Sequence, residues 1–451
     1  MRMRKWVVSL LSLVLVASLH FASASAAPGV ANPGSDAELR SVAQRTWQYF
    51  ADHTDPHTHL PLDEVRILDS GIKKAEHTSP TNIGMYMLST VSAHELGFIK
   101  REEAVQRMQG TLNTLEKMEK WRGFLYNWYY TKDATLKKDW GQFISSVDNG
   151  WYASGLIVIR QAYPELSEEA TALLDAMDFA DLYNPEVGQL YGGYDVAKGS
   201  YTGHTYGMFN TEPRAASYIG IGKGDLPTEH WWKMYRTFPP EWEQQQTPEG
   251  HTENYDGVDV YEGHYEYKGI QFVPSWGGSM FETLMPTIVI KEKELGQKGL
   301  GLNDKRQAQV QMAFAKEKGY PAWGFSPCAI PDGYTEYGVA EAGTWKDGYK
   351  DDGTVTPHAS ILALDFLPGE VKKNMKVLKE LGAYGKYGYY DSVNVKTGEI
   401  TPAYLALDQG MIMVSITNHL KGSVIRNYFH QDKVGRTPER LLEIEEFSIQ
   451  D

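Results

Sequence analysis

The chain has 451 residues, a formal net charge of −14 and one cysteine, Cys328. The acidic charge argues against nucleic acid and anionic membrane surfaces as partners, and a single cysteine excludes an intrachain disulfide framework. Its 12 Trp, 28 Tyr and 43 Gly are typical of a groove in which sugar rings stack on aromatic faces. A large domain also uses such aromatics in its core, so composition leaves both interpretations open.

The first residues have the pattern of a secretory signal peptide. A basic start, Met1 to Lys5, precedes an apolar run from Trp6 to Phe21 and small residues up to Ala27. The run is shorter than the roughly 20 residues of a membrane-spanning helix. We predict a signal peptide over residues 1–26, a flexible tail over 27–35 and a single domain over 36–451. The mature chain is expected to be secreted (extracellular or periplasmic) and monomeric.

Two kinds of helical segment alternate along the rest of the chain. One kind is amphipathic and charged, and it covers residues 101–120, 167–182, 303–318 and 369–381. The other is apolar or small on nearly every side, as expected of buried helices: 80–96, 149–162, 213–222, 279–290, 357–367 and 404–420. Alternating buried and surface helices predict an all-α fold, an (α/α)6 toroid. Short strand-like pieces such as 257–272 are predicted to form β-hairpins at the pocket rim.

Carboxylates stand at the starts of several predicted inner helices. Glu212 precedes Pro213, which suits a first helical turn that Asn210 or Thr211 can cap. Asp148, Glu282 and Asp408 hold comparable positions. Such an acid can simply form a salt bridge or be stabilised by the helix dipole. If the helices form a ring, however, their starts converge on one rim and predict a carboxylate-rich pocket.

Long loops lead into these helices and carry tryptophans, at 123–130, 272–278 and 322–327. Binding residues favour loops on a rigid scaffold, so these loops are predicted to form subsites, with a plug over the ring as the alternative. The acidic segment 347–353 lacks the ligand pattern of a calcium loop and is interpreted as a solvated turn. No metal site and no cofactor are predicted.

Several motifs resemble those of a known superfamily. They are SPTNIG at 79–84, FLYNWY at 124–129, SVDNG at 146–150, FNTEPR at 209–214, SWGGSMFE at 275–282, WGFS at 323–326, GKYGY at 385–389 and YLALDQG at 404–410. They resemble the glucoamylase-like carbohydrate hydrolases, most closely glycoside hydrolase family 144, the bacterial endo-β-1,2-glucanases. The chain is also similar to the C-terminal domain of cyclic β-1,2-glucan synthases. The resemblance covers nearly all of residues 36–451 and implies an (α/α)6 catalytic domain.

The resemblance implies an inverting enzyme that cuts inside β-1,2-glucan with two carboxylates. Glu212 is the preferred acid and Asp148 its partner, with Asp408 and Glu282 in reserve. Glucan is the expected partner, and the remaining predicted substrate-binding residues are Asn127, Trp128, Asn149, Tyr206, Arg214, Trp276, Trp323 and Gln409. Pro327 stands where synthase-type domains tend to place an acid, which argues against retaining transglycosylation. A hydrolase of another glucan linkage and a non-catalytic secreted glycan-binding protein are the alternatives.

Overall fold

A computed structural model describes residues 33–449 of the chain. The predicted signal peptide and most of the predicted tail lie outside the described residues. The first helix begins at Pro33, so the last three positions of that tail, residues 33–35, are helical. Within the described range, no helix combines the length and the apolar character needed to cross a bilayer.

Helices dominate the described structure. In chain order they are α1 (Pro33–Asp52), α2 (Pro80–Glu95), α3 (Arg101–Lys117), α4 (Ser146–Ala162), α5 (Ser167–Asp175), α6 (Arg214–Lys223), α7 (Glu229–Trp232), α8 (Met280–Leu284), α9 (Glu292–Leu295), α10 (Leu300–Lys318), α11 (Pro357–Leu362), α12 (Pro368–Glu380), α13 (Ala406–Leu420), α14 (Val424–Gln431), α15 (Lys433–Arg436) and α16 (Glu439–Ile444).

Short strands connect and border the helices. They are β1 (Glu64–Leu68), β2 (Gly71–Ala75), β3 (His77–Thr78), β4 (Lys120–Trp121), β5 (Phe124–Leu125), β6 (Tyr129–Tyr130), β7 (Phe143–Ser145), β8 (Tyr183–Asn184), β9 (Gln189–Leu190), β10 (Gly193–Asp195), β11 (Ser200–Tyr201), β12 (Thr252–Tyr255), β13 (Val258–Tyr261), β14 (Tyr265–Tyr267), β15 (Ile270–Phe272), β16 (Cys328–Ile330), β17 (Gly333–Thr335), β18 (Thr354–Val355), β19 (Tyr384–Gly385), β20 (Gly388–Tyr389), β21 (Ser392–Asn394), β22 (Ile400–Thr401) and β23 (Ala403–Leu405).

The strands form antiparallel sheets of two or three members, which corrects the prediction of an all-α fold. The molecule is helix-rich with small sheets. The predicted hairpins within 257–272 are confirmed as parts of β12–β13 and β14–β15. One central sheet has the order β2–β1–β23, in which Val65 opposes Tyr404. Because Tyr404 belongs to that strand, α13 begins at Ala406 and not at the predicted residue 404.

Two predicted inner helices are shorter than expected, for a backbone reason. The segment predicted at 279–290 is helical only over α8, and residues 285–288 continue as a 3₁₀ turn that contains Pro286. Proline has no N–H to donate and disfavours helical geometry in the residue before it. Likewise, α11 ends at Leu362 and a 3₁₀ turn leads to Pro368.

The apolar helices pack on one another in succession. Helix α2 contacts both α4 and α13, α4 contacts α6, and α11 contacts both α8 and α13. Side-chain hydrogen bonds join α6 to α8, because the Arg214 guanidinium donates to the backbone carbonyls of Glu282 and Thr283. The residues of α2, α4 and α13 are buried along nearly their whole length.

Close approach of α2 and α4 depends on Gly84. A Cβ atom at this position would lie 2.3 Å from the carbonyl oxygen of Trp151, which is backbone and cannot move aside easily. We therefore expect Gly84→Ala to destabilise the protein by about 1–3 kcal/mol through overpacking. The measurement is the thermal unfolding midpoint. Gly369→Ala is the control, because Gly369 is exposed in α12 with nothing within 4 Å of an added Cβ. Equal midpoints for the two variants would contradict the close contact.

Candidate active site

Two cavities meet at Glu212. The first, which we call the Trp276 cavity, has a volume of about 660 Å³, and the second, the Trp128 cavity, has about 580 Å³. Glu212 lines both of them, and no other described residue does. The side chain is partly exposed to this space. A long ligand that occupied both cavities would therefore pass Glu212 near its middle.

The backbone before α6 places this carboxylate. Helix α6 begins at Arg214 with Pro213 as its N-cap residue, so Glu212 lies just ahead of the helix. The predicted capping by Asn210 or Thr211 is wrong. The Asn210 amide donates to the carbonyl of Val273, and the Thr211 hydroxyl donates to the carbonyl of Met208. These bonds fix the loop immediately before the acid, whose side chain lines both cavities.

The environment of Glu212 favours its protonated form. Burial is the main cause that raises the pKa of this carboxyl, and the negative charge of Glu282 is the next. Asp148 adds a smaller effect in the same direction. The backbone N–H of Glu212 itself and the charge of Arg214 lower the pKa of Glu212. The result is a pKa of about 8, compared with an ordinary value of 4.5. Glu212 can thus hold a proton at neutral pH.

Glu282 is held by hydrogen-bond donors. It accepts from the Ser275 hydroxyl at 2.6 Å, from the backbone N–H of Gly277 at 3.0 Å and from the Tyr349 hydroxyl at 3.1 Å. It also completes a capping box with Ser279 at the start of α8. Burial is the largest cause and leaves the pKa of Glu282 above its ordinary value, while these donors oppose the shift because they stabilise the ionised form. An ionised Glu282 supplies the negative charge that raises the pKa of Glu212.

Asp148 lies on the other side of Glu212, in the Trp128 cavity. It is in the first turn of α4, where its backbone N–H donates to the N-cap hydroxyl of Ser145 at 3.1 Å. The Thr81 hydroxyl donates to its carboxylate at 2.6 Å. Burial raises the pKa of Asp148, and the hydrogen bonds from Ser145 and Thr81 lower it. Unlike Glu212, Asp148 has no neighbouring carboxylate among the causes of its shift.

Aromatic side chains line both cavities. Trp276 is 38% exposed and stacks on Trp345, with ring centroids 6.1 Å apart and planes within 6°. Tyr206 and Trp242 line the same cavity. In the second cavity, Trp128 meets Trp140 edge to face at 5.2 Å. Of the residues predicted to bind substrate, the structure therefore brings Trp128, Tyr206, Trp276 and Glu282 to the cavities.

Other predicted contact residues do not line either cavity. Asn149 is fully buried, and its amide bridges the backbone of Leu125 in β5 through two hydrogen bonds. Trp323 is in the hydrophobic core, and Gln409 donates to the carbonyl of Tyr389. Asn127 lies outside the lining residues of both cavities. These side chains support the loops and not the cavity surface.

Arg214 and Asp408 were predicted to contact substrate, but both side chains lie in the protein interior. The Arg214 guanidinium is fully buried and donates twice to Glu292, each time at 2.8 Å. Asp408 is buried beside Asp391 and His358, outside the lining of both cavities. The reason is local, because neither helix start projects these side chains toward the cavities.

Sequence reasoning missed several cavity residues. Tyr349, which bonds Glu282, lies in the acidic segment 347–353 that was interpreted as a solvated turn. Its contact with Glu282 joins segments 67 residues apart, so no local pattern indicates it. Trp140 and Arg66 were also missed. Arg66 donates to the carbonyls of Ile330 and Pro331 in the turn between β16 and β17, a contact 264 residues away in the chain that no local pattern indicates.

Comparison with known families agrees with the motifs. Residues 216–433 match the Glycoamylase family, which is described as "Putative glucoamylase". The chain is similar to this glucoamylase-like family over those residues. The match relates the chain to glycoside hydrolases, as its sequence motifs predict. Residues 41–217 match a different family, which is described as a protein of unknown function (DUF3131).

Individual relatives act on β-1,2-glucans according to their names. The cyclic beta-(1,2)-glucan synthase NdvB of Rhizobium meliloti (strain 1021) is 26% identical over 90% of this chain, which spans 18% of that protein. The exo beta-1,2-glucooligosaccharide sophorohydrolase of Parabacteroides distasonis is 20% identical over 86% of this chain, which spans 55% of that protein. The chain thus spans about half or less of each of these relatives.

A solved structure shares the fold. The endo-beta-1,2-glucanase from Chitinophaga pinensis, in complex with sophorotriose and glucose, superimposes with a TM-score of 0.69 at 18% identity. The match covers 92% of this chain and 99% of that one. The helix-rich architecture with small sheets is thus one that an endo-acting glucanase also uses.

The raised pKa of Glu212 makes stability depend on pH. A carboxyl with a folded-state pKa of about 8 and an ordinary value of 4.5 stabilises the folded state fully below pH 4.5. That stabilisation is lost as the pH rises through about 8. We expect Glu212→Gln, which cannot ionise, to have a higher unfolding midpoint than wild type at pH 9, with a smaller difference at pH 4.

Glu168→Gln is the control, because Glu168 is exposed on α5. It should follow the wild-type midpoint across the same pH range. A constant difference between Glu212→Gln and wild type at every pH would contradict the raised pKa.

Proposed function

We propose that this protein is a secreted glycoside hydrolase that cleaves β-1,2-glucan inside the chain by an inverting mechanism. The observation that carries the proposal is Glu212, a carboxyl with a pKa of about 8 at the junction of two aromatic-lined cavities. The names of the relatives and of the fold neighbour support β-1,2-glucan as the substrate.

The position of Glu212 between two cavities supports endo action. Cavities of about 660 and 580 Å³ extend on its two sides, and each has the size of a ligand-binding pocket. A glucan that filled both would present an internal glycosidic bond to Glu212. An enzyme restricted to chain ends would need one side closed.

In the proposed reaction, protonated Glu212 donates its proton to the glycosidic oxygen as that bond breaks. Asp148, as the ionised carboxylate, removes a proton from the water that attacks the anomeric carbon from the opposite face. This arrangement requires a carboxyl separation of roughly 6.5–9.5 Å, which leaves room for the water. Burial and then the Glu282 charge raise the pKa of Glu212 to about 8. Burial also raises the pKa of Asp148, but the hydrogen bonds from Ser145 and Thr81 oppose that shift and favour its ionised form.

Glu282 has a positioning role in this scheme. Its carboxylate is occupied by donors from Ser275, Gly277 and Tyr349, so it is poorly suited to activate water. Its charge instead keeps the proton on Glu212. The aromatic faces of Trp276 and Trp128 would carry the apolar faces of glucose residues on the two sides.

The proposal also covers the arrangement of the inner helices, export of the protein and its monomeric state. We propose that α2, α4, α6, α8, α11 and α13 are the inner helices of an (α/α)6 toroid, because their pairwise contacts and the Arg214 bonds follow one another in a ring. The signal-like start at residues 1–26 supports export, and the protein is proposed to act as a monomer on glucan.

The direct test uses purified residues 27–451 with β-1,2-glucan, β-1,3-glucan and starch as separate substrates. The products are analysed by size and by the anomer first released. We expect mixed-length oligosaccharides of inverted configuration from β-1,2-glucan alone. Activity only on starch or β-1,3-glucan would overturn the linkage, retained configuration or cyclic products would overturn the mechanism, and binding without cleavage would overturn the enzyme assignment.

Removal of the acid tests the role of Glu212. We expect Glu212→Gln to lower kcat on β-1,2-glucan by about 10²–10⁴-fold, the range for loss of a general acid. Binding of the glucan should persist, because the aromatic surfaces remain. Glu168→Gln should retain the wild-type rate, and a similar rate in Glu212→Gln would exclude Glu212 as the acid.

The charge of Glu282 should set the alkaline limit of activity. In wild type, kcat/KM is expected to fall as the pH rises through about 8, because Glu212 loses its proton there. Glu282→Gln keeps a side chain that can form the capping box but removes the neighbouring charge. The pKa of Glu212 should then decrease, so the alkaline limb moves to lower pH. An unmoved limb would show that Glu282 does not control Glu212.

A further inference from the structure

Three chemically reactive side chains meet in the interior, away from Glu212. His358 is the second residue of α11, Asp408 is the third residue of α13, and Asp391 directly precedes β21. One ligand atom from each lies within 4.8 Å of the others, and His358 Nδ1 is 3.6 Å from Asp408 Oδ1. Each of the three residues is 1% exposed.

This cluster, His358–Asp391–Asp408, lacks the partners that buried polar groups normally have. Within residues 33–449, no hydrogen-bond partner from outside the cluster reaches Asp391 Oδ1, either carboxylate oxygen of Asp408, or His358 Nε2, and the two carboxyl groups are within hydrogen-bonding reach of each other. Only Asp391 Oδ2 has a donor, the backbone N–H of Ala329 at 2.5 Å. Burial of carboxylates without a compensating charge or donor is costly, so a missing positive partner is indicated.

No nearby cationic side chain fills that role. Arg66 is the guanidinium with an electrostatic effect on Asp391, but it pairs with Glu64 at 2.6 Å. Its remaining donors are taken by backbone carbonyls of Ile330, Pro331 and Gly333. The three unpartnered carboxylate oxygens and the imidazole therefore face one another without a cation from the described chain.

We propose that His358, Asp391 and Asp408 bind a divalent transition-metal ion of the zinc class. One imidazole nitrogen and two carboxylates form a donor set that Zn²⁺ accepts, whereas Ca²⁺ and Mg²⁺ prefer oxygen ligands throughout. Tetrahedral ligands at about 2.0–2.2 Å from the metal lie roughly 3.3–3.5 Å apart, close to the observed 3.6 Å between His358 and Asp408. Two carboxylates balance the charge of the ion.

The site has a structural role because its residues line neither cavity. A metal ion would link α11, α13 and the start of β21, which are far apart in the sequence. The connection extends to the β16–β17 hairpin, since Asp391 accepts from Ala329 N–H and Ser392 donates to the Ala329 carbonyl. Ala329 and Gly333 of that hairpin line the Trp128 cavity. The ion would therefore stabilise one wall of the cavity without contact with the reacting bond.

The test measures metal content and stability of purified residues 27–451. The protein is expressed with added zinc, freed of loosely bound metal by gel filtration, and analysed by inductively coupled plasma mass spectrometry. We expect about one zinc ion per chain and a lower unfolding midpoint after prolonged chelation, which added Zn²⁺ restores. Replacement by Co²⁺ should give visible d–d absorption bands.

Two histidine variants locate the ion. His358→Gln should lose the metal and its Co²⁺ bands, and its midpoint should no longer respond to Zn²⁺. His230→Gln is the matched control, because His230 is equally buried but bonds Ser217 and the Gly188 carbonyl. It should retain the metal even if its midpoint is lower. If His358→Gln does not fold, Asp391→Asn is used in the same measurements.

Three results would overturn the proposal. These are wild-type protein without bound metal and without a midpoint response to Zn²⁺, a His358→Gln variant with undiminished metal, and metal loss in His230→Gln to the same extent. None of these measurements depends on glucan cleavage, so the metal proposal and the proposed function can fail separately.

Discussion

The buried ion pair between Arg214 and Glu292 supports both the fold and the chemistry. Its two hydrogen bonds of 2.8 Å anchor the start of α6 to α9, and the remaining guanidinium donors bind the backbone of α8. Without this arginine, α6 would lose its side-chain hydrogen bonds to the backbone of Glu282 and Thr283 in α8. Breaking such a pair leaves an uncompensated buried charge, which typically costs about 3–5 kcal/mol. The same pairing directs the positive charge away from Glu212, two residues earlier in the chain.

Burial raises the pKa of both neighbouring glutamates, but their other surroundings differ. Glu282 is surrounded by donors at the start of α8, so its negative charge is stabilised. Burial and the Glu282 charge oppose ionisation of Glu212, and the positive charge of Arg214, which is paired with Glu292, lowers the pKa by less than either of them raises it. A proton donor and a fixed negative charge thus arise from the same side-chain type. The difference comes from backbone geometry before α6 and α8 and not from the residues alone.

The sequence predicted the buried helices well, because apolar and small residues on every face indicate burial without knowledge of the partner. It also predicted the pocket carboxylates Glu212, Asp148 and Glu282 from their places at helix starts. The same rule failed for Asp408, whose position is similar but whose side chain meets His358 and Asp391. Tyr349 and Arg66 could not be predicted, since their contacts join segments far apart in the chain. The strands were underestimated because two-residue pairings such as His77 with Tyr130 have no periodic signal.

The central claim is that Glu212 retains its proton at neutral pH, and its own titration tests this most directly. Carboxyl ¹³C NMR of glutamate-labelled protein, with Glu212→Gln to assign the resonance, gives the pKa of this group. The account predicts a midpoint near 8, with the resonance still that of a protonated acid at pH 6.5. A midpoint near the ordinary value of 4.5 would contradict the account, because Glu212 would then be ionised where the enzyme needs an acid.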